Sequence, residues 1–384
     1  MKKMIKMSLV AAVAVTGLSS TVAAQPLTEA IKDVDVSGSI VYRYNDYNED
    51  VAGENGTNTN DYKIATTIKS KVNDTITATV RVVTGTGALN DSKAGRTSLD
   101  NKTDADANPD LQVSQANFTA KVAGATVIAG KQGLTTPWTT AIDSDGTEQT
   151  GTGLLTLIPA GPVTVAAAVF NQTNLNNAGV GMSGAEDIKT LGLLGNAGPV
   201  ALNAWYLDAA NVFSTYTVGA KANIEGVTAE LKYTSLDLDA ATTDNSAIIA
   251  KVSTKVGPVG LGINYGKTDK EGGLTALNST ASTTLLGWST TLHNKKDADM
   301  IMLNANMDVM SGLNVALNYN NVESMDNTTA NQENEQTEIF TQITYKMQKN
   351  FSTYLRFGTF EDKENGMVVS DSDTRGRVQV EYKF

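Results

Sequence analysis

Along most of the chain every second residue is apolar. In "DVDVSGSIVYRYN", Val34, Val36, Ile40, Tyr42 and Tyr44 share one parity, and Asp35, Ser37, Ser39, Arg43 and Asn45 the other. "DTITATVRVV" sets Ile76, Ala78, Val80 and Val82 against Thr75, Thr77, Thr79 and Arg81. "LNVALNYN" sets Leu313, Val315, Leu317 and Tyr319 against Asn314, Ala316, Asn318 and Asn320. The chain ends in the same way: in "RGRVQVEYKF", Val378, Val380, Tyr382 and Phe384 alternate with Arg377, Gln379, Glu381 and Lys383. Alternate side chains of a strand point to opposite faces, so each segment predicts a β-strand with one oily and one polar face. The ribbon recurs about every 10 to 15 residues, as in a barrel whose outside meets lipid and whose inside meets water.

The connections alternate between short and long. The short ones, "KVNDT", "VAGAT", "PAGPV", "NAGPV", "IEGVT", "VGPVG", "MSGLN" and "MQKNF", carry the residues of tight hairpin turns. The long ones are polar and lie near 47–60, 86–110, 133–151, 173–186, 209–212, 239–244, 268–297, 324–334 and 362–372. Eight turns and nine loops join eighteen antiparallel strands with both chain ends on the turn side. That is the layout of an all-β transmembrane barrel with short periplasmic turns and long external loops. "AAAVF" and "TTLLGW" alternate poorly, which leaves sixteen strands as the alternative. With strand directions assigned this way, outward Tyr42, Tyr44, Tyr62 and Tyr319 fall at the loop end, and Tyr345, Phe351, Tyr382 and Phe384 at the turn end. Two such girdles suit the two interfaces of a membrane; a soluble β-sandwich or a long adhesin alternates too, but has no reason to band its aromatics. A barrel must also close, and "RGRVQVEYKF" is expected to pair with "DVDVSGSIVYRYN".

Composition adds an address. The 384 residues hold 33 Gly, 7 Pro and no Cys, which fits one β-rich body and excludes disulfides, thiol nucleophiles and thiolate metal sites. Lys2, Lys3 and Lys6 precede an apolar run from Met7 to Leu18, and Val22 and Ala24 stand before Gln25: a cleaved export signal over 1–24, with a single barrel domain over 25–384. Removing residues 1–24 with their three lysines takes the formal charge from −11 to −14, and an acidic chain argues against nucleic acid. Signal, barrel and terminal aromatic together point to the outer membrane, with lipid and small hydrophilic solutes as partners.

Two segments carry a narrower resemblance. "PLTEAIKDVDVSGSIVYRYND" (26–46), and "AGKQGLTTPWT" followed by "GTG" (129–139 and 151–153), resemble the Campylobacter-type major outer membrane porin family. The resemblance implies an eighteen-stranded general-diffusion porin assembled as a homotrimer. Terminal Phe384, with Tyr382, resembles the C-terminal aromatic signal read by the barrel-assembly machinery. Calcium has been associated with that family, but the resemblance places no ligand here.

In a barrel of this size the lumen lining sets selectivity. The third long loop, "GLTTPWTTAIDSDGTEQTGTG", is expected to fold inward as a constriction over 133–151 and carries Asp143, Asp145 and Glu148. Inward Arg81 and Arg356 near mid-strand, with Arg43 and Arg377 by the closure seam, would face it and set a transverse field, giving a mild cation preference. The alternative is a solvated acidic loop outside the barrel. "DSDG" (143–146) and "DADANPD" (104–110) look like pieces of calcium loops, but Leu154 and Gln115 stand where an EF-hand needs Glu. The only histidine, His293, lies near Ser289 and Asp297 in a loop, and neither G-x-S-x-G nor H-E-x-x-H occurs. A porin is therefore the reading; a structural or adhesive surface barrel and a membrane hydrolase are the alternatives.

Overall fold

In the computed structural model, which describes residues 34–48, 57–85, 97–98, 110–175 and 180–384, the strands close on themselves. The first half holds β1 (Val34–Asn48), β2 (Thr57–Lys71), β3 (Ile76–Gly85), the two-residue β4 (Thr97–Ser98), β5 (Asp110–Val122), β6 (Ala125–Gly133), β7 (Thr150–Ala160), β8 (Val163–Thr173) and β9 (Ile188–Ala197). The second holds β10 (Val200–Ala209), β11 (Phe213–Ile224), β12 (Val227–Leu238), β13 (Asp244–Val256), β14 (Val259–Thr268), β15 (Lys296–Met310), β16 (Leu313–Met325), β17 (Glu333–Gln348), β18 (Phe351–Glu364) and β19 (Met367–Lys383). Eighteen strands form an antiparallel barrel; β4 stands outside the count, extending the sheet beside the loop end of β2. Residues 1–33, with the expected export leader, most of the expected external loops 47–60 and 86–110, the acidic stretch 104–109 and part of 173–186 lie outside the described residues.

The expected closure is present. Ser39 faces Lys383, Ile40 faces Tyr382 and Tyr42 faces Val380, and the ladder runs up to Asn48 opposite Thr374. Phe384 and Gly38 exchange both backbone hydrogen bonds at 3.0 Å, so the last residue completes the cylinder. Lipid-facing side chains alternate as read: Leu317, Phe357, Val252 and Leu202 are exposed and apolar, while their sequence neighbours face the lumen. Tyr319 sits midway along β16, yet it is the last apolar outward residue before Asn321 and Glu323, so it still marks the upper edge of the oily belt.

All eight short turns are tight. Several follow the twist-compatible hairpin forms: Ala123–Gly124 and Glu225–Gly226 both carry positive φ, and in the Gly-Pro turns Gly161, Gly198 and Gly257 do. Two sequence expectations change. "AAAVF" belongs to β8, whereas "TTLLGW" is no strand and lies in the connection between β14 and β15. The ninth long loop, 362–372, is a projecting hairpin turned by Asn365 (φ 49°) and Gly366 (φ 75°). Beyond the lipid belt its strands need no oily face, so the period-two signal fades although pairing continues.

Candidate functional site

Two connections fold into the lumen. The first, 134–149 between β6 and β7, is closed at its base by the Leu134 N–H donating to Gln149 O (2.9 Å). Its Trp138, fully buried, inserts into an apolar cluster with Leu134, Phe170, Leu207, Phe213 and Leu236, which holds the loop on the wall strands β8–β12. Asp143 shapes its tip. Its carboxylate accepts from the backbone N–H of Asp145 (3.0 Å) and Thr147 (2.8 Å), an Asx turn that Gly146 completes at φ 90°. The Asn278 amide donates to the same carboxylate at 3.3 Å.

The remaining acids meet wall cations. Glu148, 1% exposed, accepts from Lys63 Nζ on β2 (2.8 Å) and from Arg81 on β3 (2.7 Å). Lys63 also donates to Gly146 O (2.7 Å) and Arg81 to Thr67 Oγ1 (2.7 Å). Arg43 reaches Asp145 at 3.2 Å, and the Asp145 carboxylate keeps 62% of its surface. Burial alone would raise the Glu148 pKa, but the bonds from Arg81 and Lys63 outweigh it and hold the carboxyl below its ordinary range. Burial raises Asp143, outweighing the hydrogen bonds from Thr147, Asn278 and Asp145. Loop 134–149 thus packs against the lumen side of the wall, and its acids and the β1–β3 bases are paired rather than opposed. Glu148 and Arg81 form a latch, and Asp145 is the exposed acid.

The second inward connection, 269–295, lies within the stretch 268–297 that the sequence pattern predicts as an external loop. It packs Leu274 and Leu277 into the first cluster, and Leu285 and Leu292 against Ile249, Met300 and Val322. Those leucines are the signal that a solvated loop would lack. The two loops are stitched together: Leu277 N–H donates to Trp138 O (2.9 Å), Ser282 Oγ to Pro137 O (3.1 Å) and the Ser144 N–H to Thr280 Oγ1 (3.2 Å). The far end is pinned by Glu338 on β17, fully buried, which accepts from the N–H groups of Trp288 and Ser289 (both 2.7 Å), from Thr290 Oγ1 (2.9 Å) and from Asn320 Nδ2 (2.6 Å). Neither Glu338 nor Trp288 stood out in the sequence, although Glu338 shares the lumen parity of Phe340 and Gln342.

Between the loops and the wall lies a gap of about 460 Å³, bordered by Asp145 on one loop, Thr280 and Trp288 on the other, and Lys251, Arg356 and Arg377 on β13, β18 and β19. Of the charged residues singled out in the sequence, Asp145, Arg356 and Arg377 border this gap. Arg43 is joined to it through Asp145, while Asp143, Glu148 and Arg81 hold the loop. Among the described residues no three His, Asp or Glu side chains gather for a metal ion, and the "DSDG" carboxylate is engaged by backbone N–H groups.

His293 in the second loop is depressed by burial to about 4, and its Nδ1 has no hydrogen-bond partner. The unfolded chain then binds a proton that the folded one refuses as pH falls from about 6.5 toward 4. The histidine's contribution to stability is full above that window and lost through it. The heat-denaturation midpoint should drop across this range, and His293→Gln should flatten the drop. Identical pH profiles for the two proteins would remove His293 as the cause.

Solved porins share this architecture at low sequence identity. OccAB3 of Acinetobacter baumannii superposes with a TM-score of 0.74 at 13% identity, covering 92% of this chain and 99% of its own. OccK2 (OpdF) of Pseudomonas aeruginosa, solved with glucuronate, gives 0.74 at 13% identity over 92% and 98%. A BenF-like porin from Pseudomonas fluorescens gives 0.74 at 12% identity over 92% and 99%. Among curated proteins none matches by sequence. The model of the Campylobacter major outer membrane protein family matches residues 1–219, more than half of the sequence, and with the closed eighteen-stranded barrel already established, the chain belongs to that family.

Proposed function

We propose that this outer-membrane channel for small solutes is a general-diffusion porin with a mild preference for cations, and that it catalyses no reaction. The observation that carries this reading is the lumen: two stitched loops narrow a wide barrel to a polar gap with an exposed carboxylate on one side and cations on the other. At the outer rim Asp297, Asp299, Glu323, Glu333 and Glu335 border a groove of about 470 Å³, which adds to the negative charge that solutes meet on approach. Lys251, Arg356 and Arg377 oppose that charge at the gap, so the net preference is weak.

Reversal potentials across a potassium chloride gradient test this. Wild-type channels should favour potassium slightly at low salt, Asp145→Asn should shift selectivity toward chloride, and Arg356→Gln with Arg377→Gln should shift it toward potassium. All three differences should fade near molar salt, where the screening length falls from about 8 Å to about 3 Å. Unchanged potentials in both variants would place the selective ring elsewhere. The homotrimer implied by the family resemblance is read in the same recordings as three equal conductance steps per insertion.

A further inference from the structure

On the porin reading, we infer that Arg356 and Arg377 form a binding subsite for small organic carboxylates inside the channel. The two residues face each other directly across β18 and β19, and both point into the lumen. Like charges placed opposite each other in a sheet repel. A counter-ion would normally relieve this, yet among the described residues neither guanidinium forms an ion pair. Their partners are neutral. Arg356 donates Nε and one terminal nitrogen to Gln342 Oε1 (3.0 and 2.6 Å), and Arg377 donates to Asn45 Oδ1 (2.6 Å) and the Tyr47 hydroxyl (2.8 Å). Each guanidinium has five N–H donors, so each retains donors for a further acceptor.

The pair is also held in place. Arg356 lies over the rings of Trp288 (5.1 Å), Phe340 (5.0 Å) and Tyr354 (5.5 Å), and Arg377 also lies over Trp288 at 5.6 Å. Stacking fixes the guanidinium planes and leaves their edges for a carboxylate, which a planar fork binds with two bonds. The arrangement keeps two positive charges rigid at a gap of about 460 Å³, a volume suited to a small metabolite. The two loops supply hydroxyls from Thr280 and Ser282 and the carboxylate of Asp145 to the same gap. A monocarboxylate bearing hydroxyl groups meets both sides; a dianion is disfavoured by Asp145.

The experiment is single-channel recording in dilute potassium chloride with gluconate added to one side and glucose as the uncharged control. Gluconate should interrupt the current in discrete events and glucose should not. The apparent affinity should fall about tenfold in Arg356→Gln and in Arg377→Gln, the loss of one charge-assisted contact. Arg356→Lys should recover part of it, and Lys255→Gln, at the far end of β13, should match wild type. Conductance in potassium chloride alone shows that each variant is folded. Equal interruption by glucose, or gluconate events untouched by both substitutions, overturns the subsite while leaving a working porin. Equal interruption by inorganic phosphate overturns the carboxylate assignment. Absence of conductance from the wild-type protein overturns the porin reading and this inference with it.

Discussion

Glu148→Ala should raise single-channel conductance and current noise and lower the heat-denaturation midpoint, the largest effect expected of any single lumen substitution. The carboxylate is buried and neutralises both Lys63 and Arg81. Removing it leaves two cations behind the loop with no counter-ion, and breaking a buried pair from one side costs about 3–5 kcal/mol. The loop is also held by Asn174, just after β8, which donates to Glu148 O (2.6 Å) and accepts from the Thr150 N–H (2.7 Å), and by buried Trp138. It should therefore loosen at its acidic side and stay anchored at its apolar one, giving fluctuating rather than absent constriction. Acid should imitate the substitution. The folded-state pKa of Glu148 is depressed, so its contribution is complete above the ordinary carboxylate value of about 4.3 and is lost as pH falls through the lower folded value. Asp145→Asn breaks an ion pair whose carboxylate is 62% exposed and should leave the loop in place, as exposed pairs contribute little. Conductance and noise identical to wild type in Glu148→Ala would show that the apolar anchor alone holds the loop.

These contrasts bear on what the sequence disclosed. Strand parity was readable because lipid on one side and water on the other impose a strict period of two, and inward Arg43, Arg81, Arg356 and Arg377 follow from it. Which acid each arginine meets was not readable, because that depends on the path of loop 134–149 and not on any strand. Arg81 and Glu148 are 67 residues apart and meet only when the loop turns back on the wall. The role of 269–295 was hidden for the same reason: Ser144 and Thr280 are separated by 136 positions, and their hydrogen bond leaves no periodic trace. Local sequence rules hold in both regions. Asn365–Gly366 is a hairpin signal inside a stretch read as a loop, and Leu285 and Leu292 are too apolar for an outer surface.

Deleting Phe384 should leave most of the exported protein uninserted, because the deletion acts at the seam where the cylinder closes. The residue exchanges two backbone hydrogen bonds with Gly38, and its ring lies tilted against Tyr382 at 6.2 Å. Gly38 makes this approach possible: a Cβ there would stand 2.2 Å from Ala65 O and 2.6 Å from the Phe384 ring. Two hydrogen bonds at about 1 kcal/mol each, with partial burial of an aromatic ring, amount to roughly 2–3 kcal/mol, or at least tenfold in the closed population. Gly38→Val should damage the same seam from β1 without touching the terminal aromatic, and Phe384→Tyr should preserve both ring and hydrogen bonds. Tyr382→Asp places a carboxylate on the lipid side of the last strand and should fall with the deletion. The measurement is the fraction of exported protein recovered from outer membranes in a form whose gel mobility shifts on heating. Loss in the deletion, with normal yield in Gly38→Val, would assign the effect to recognition of the terminal aromatic during assembly. Normal yield in both would mean that the β1–β19 ladder below Asn48 and Thr374 closes the barrel without its last residue.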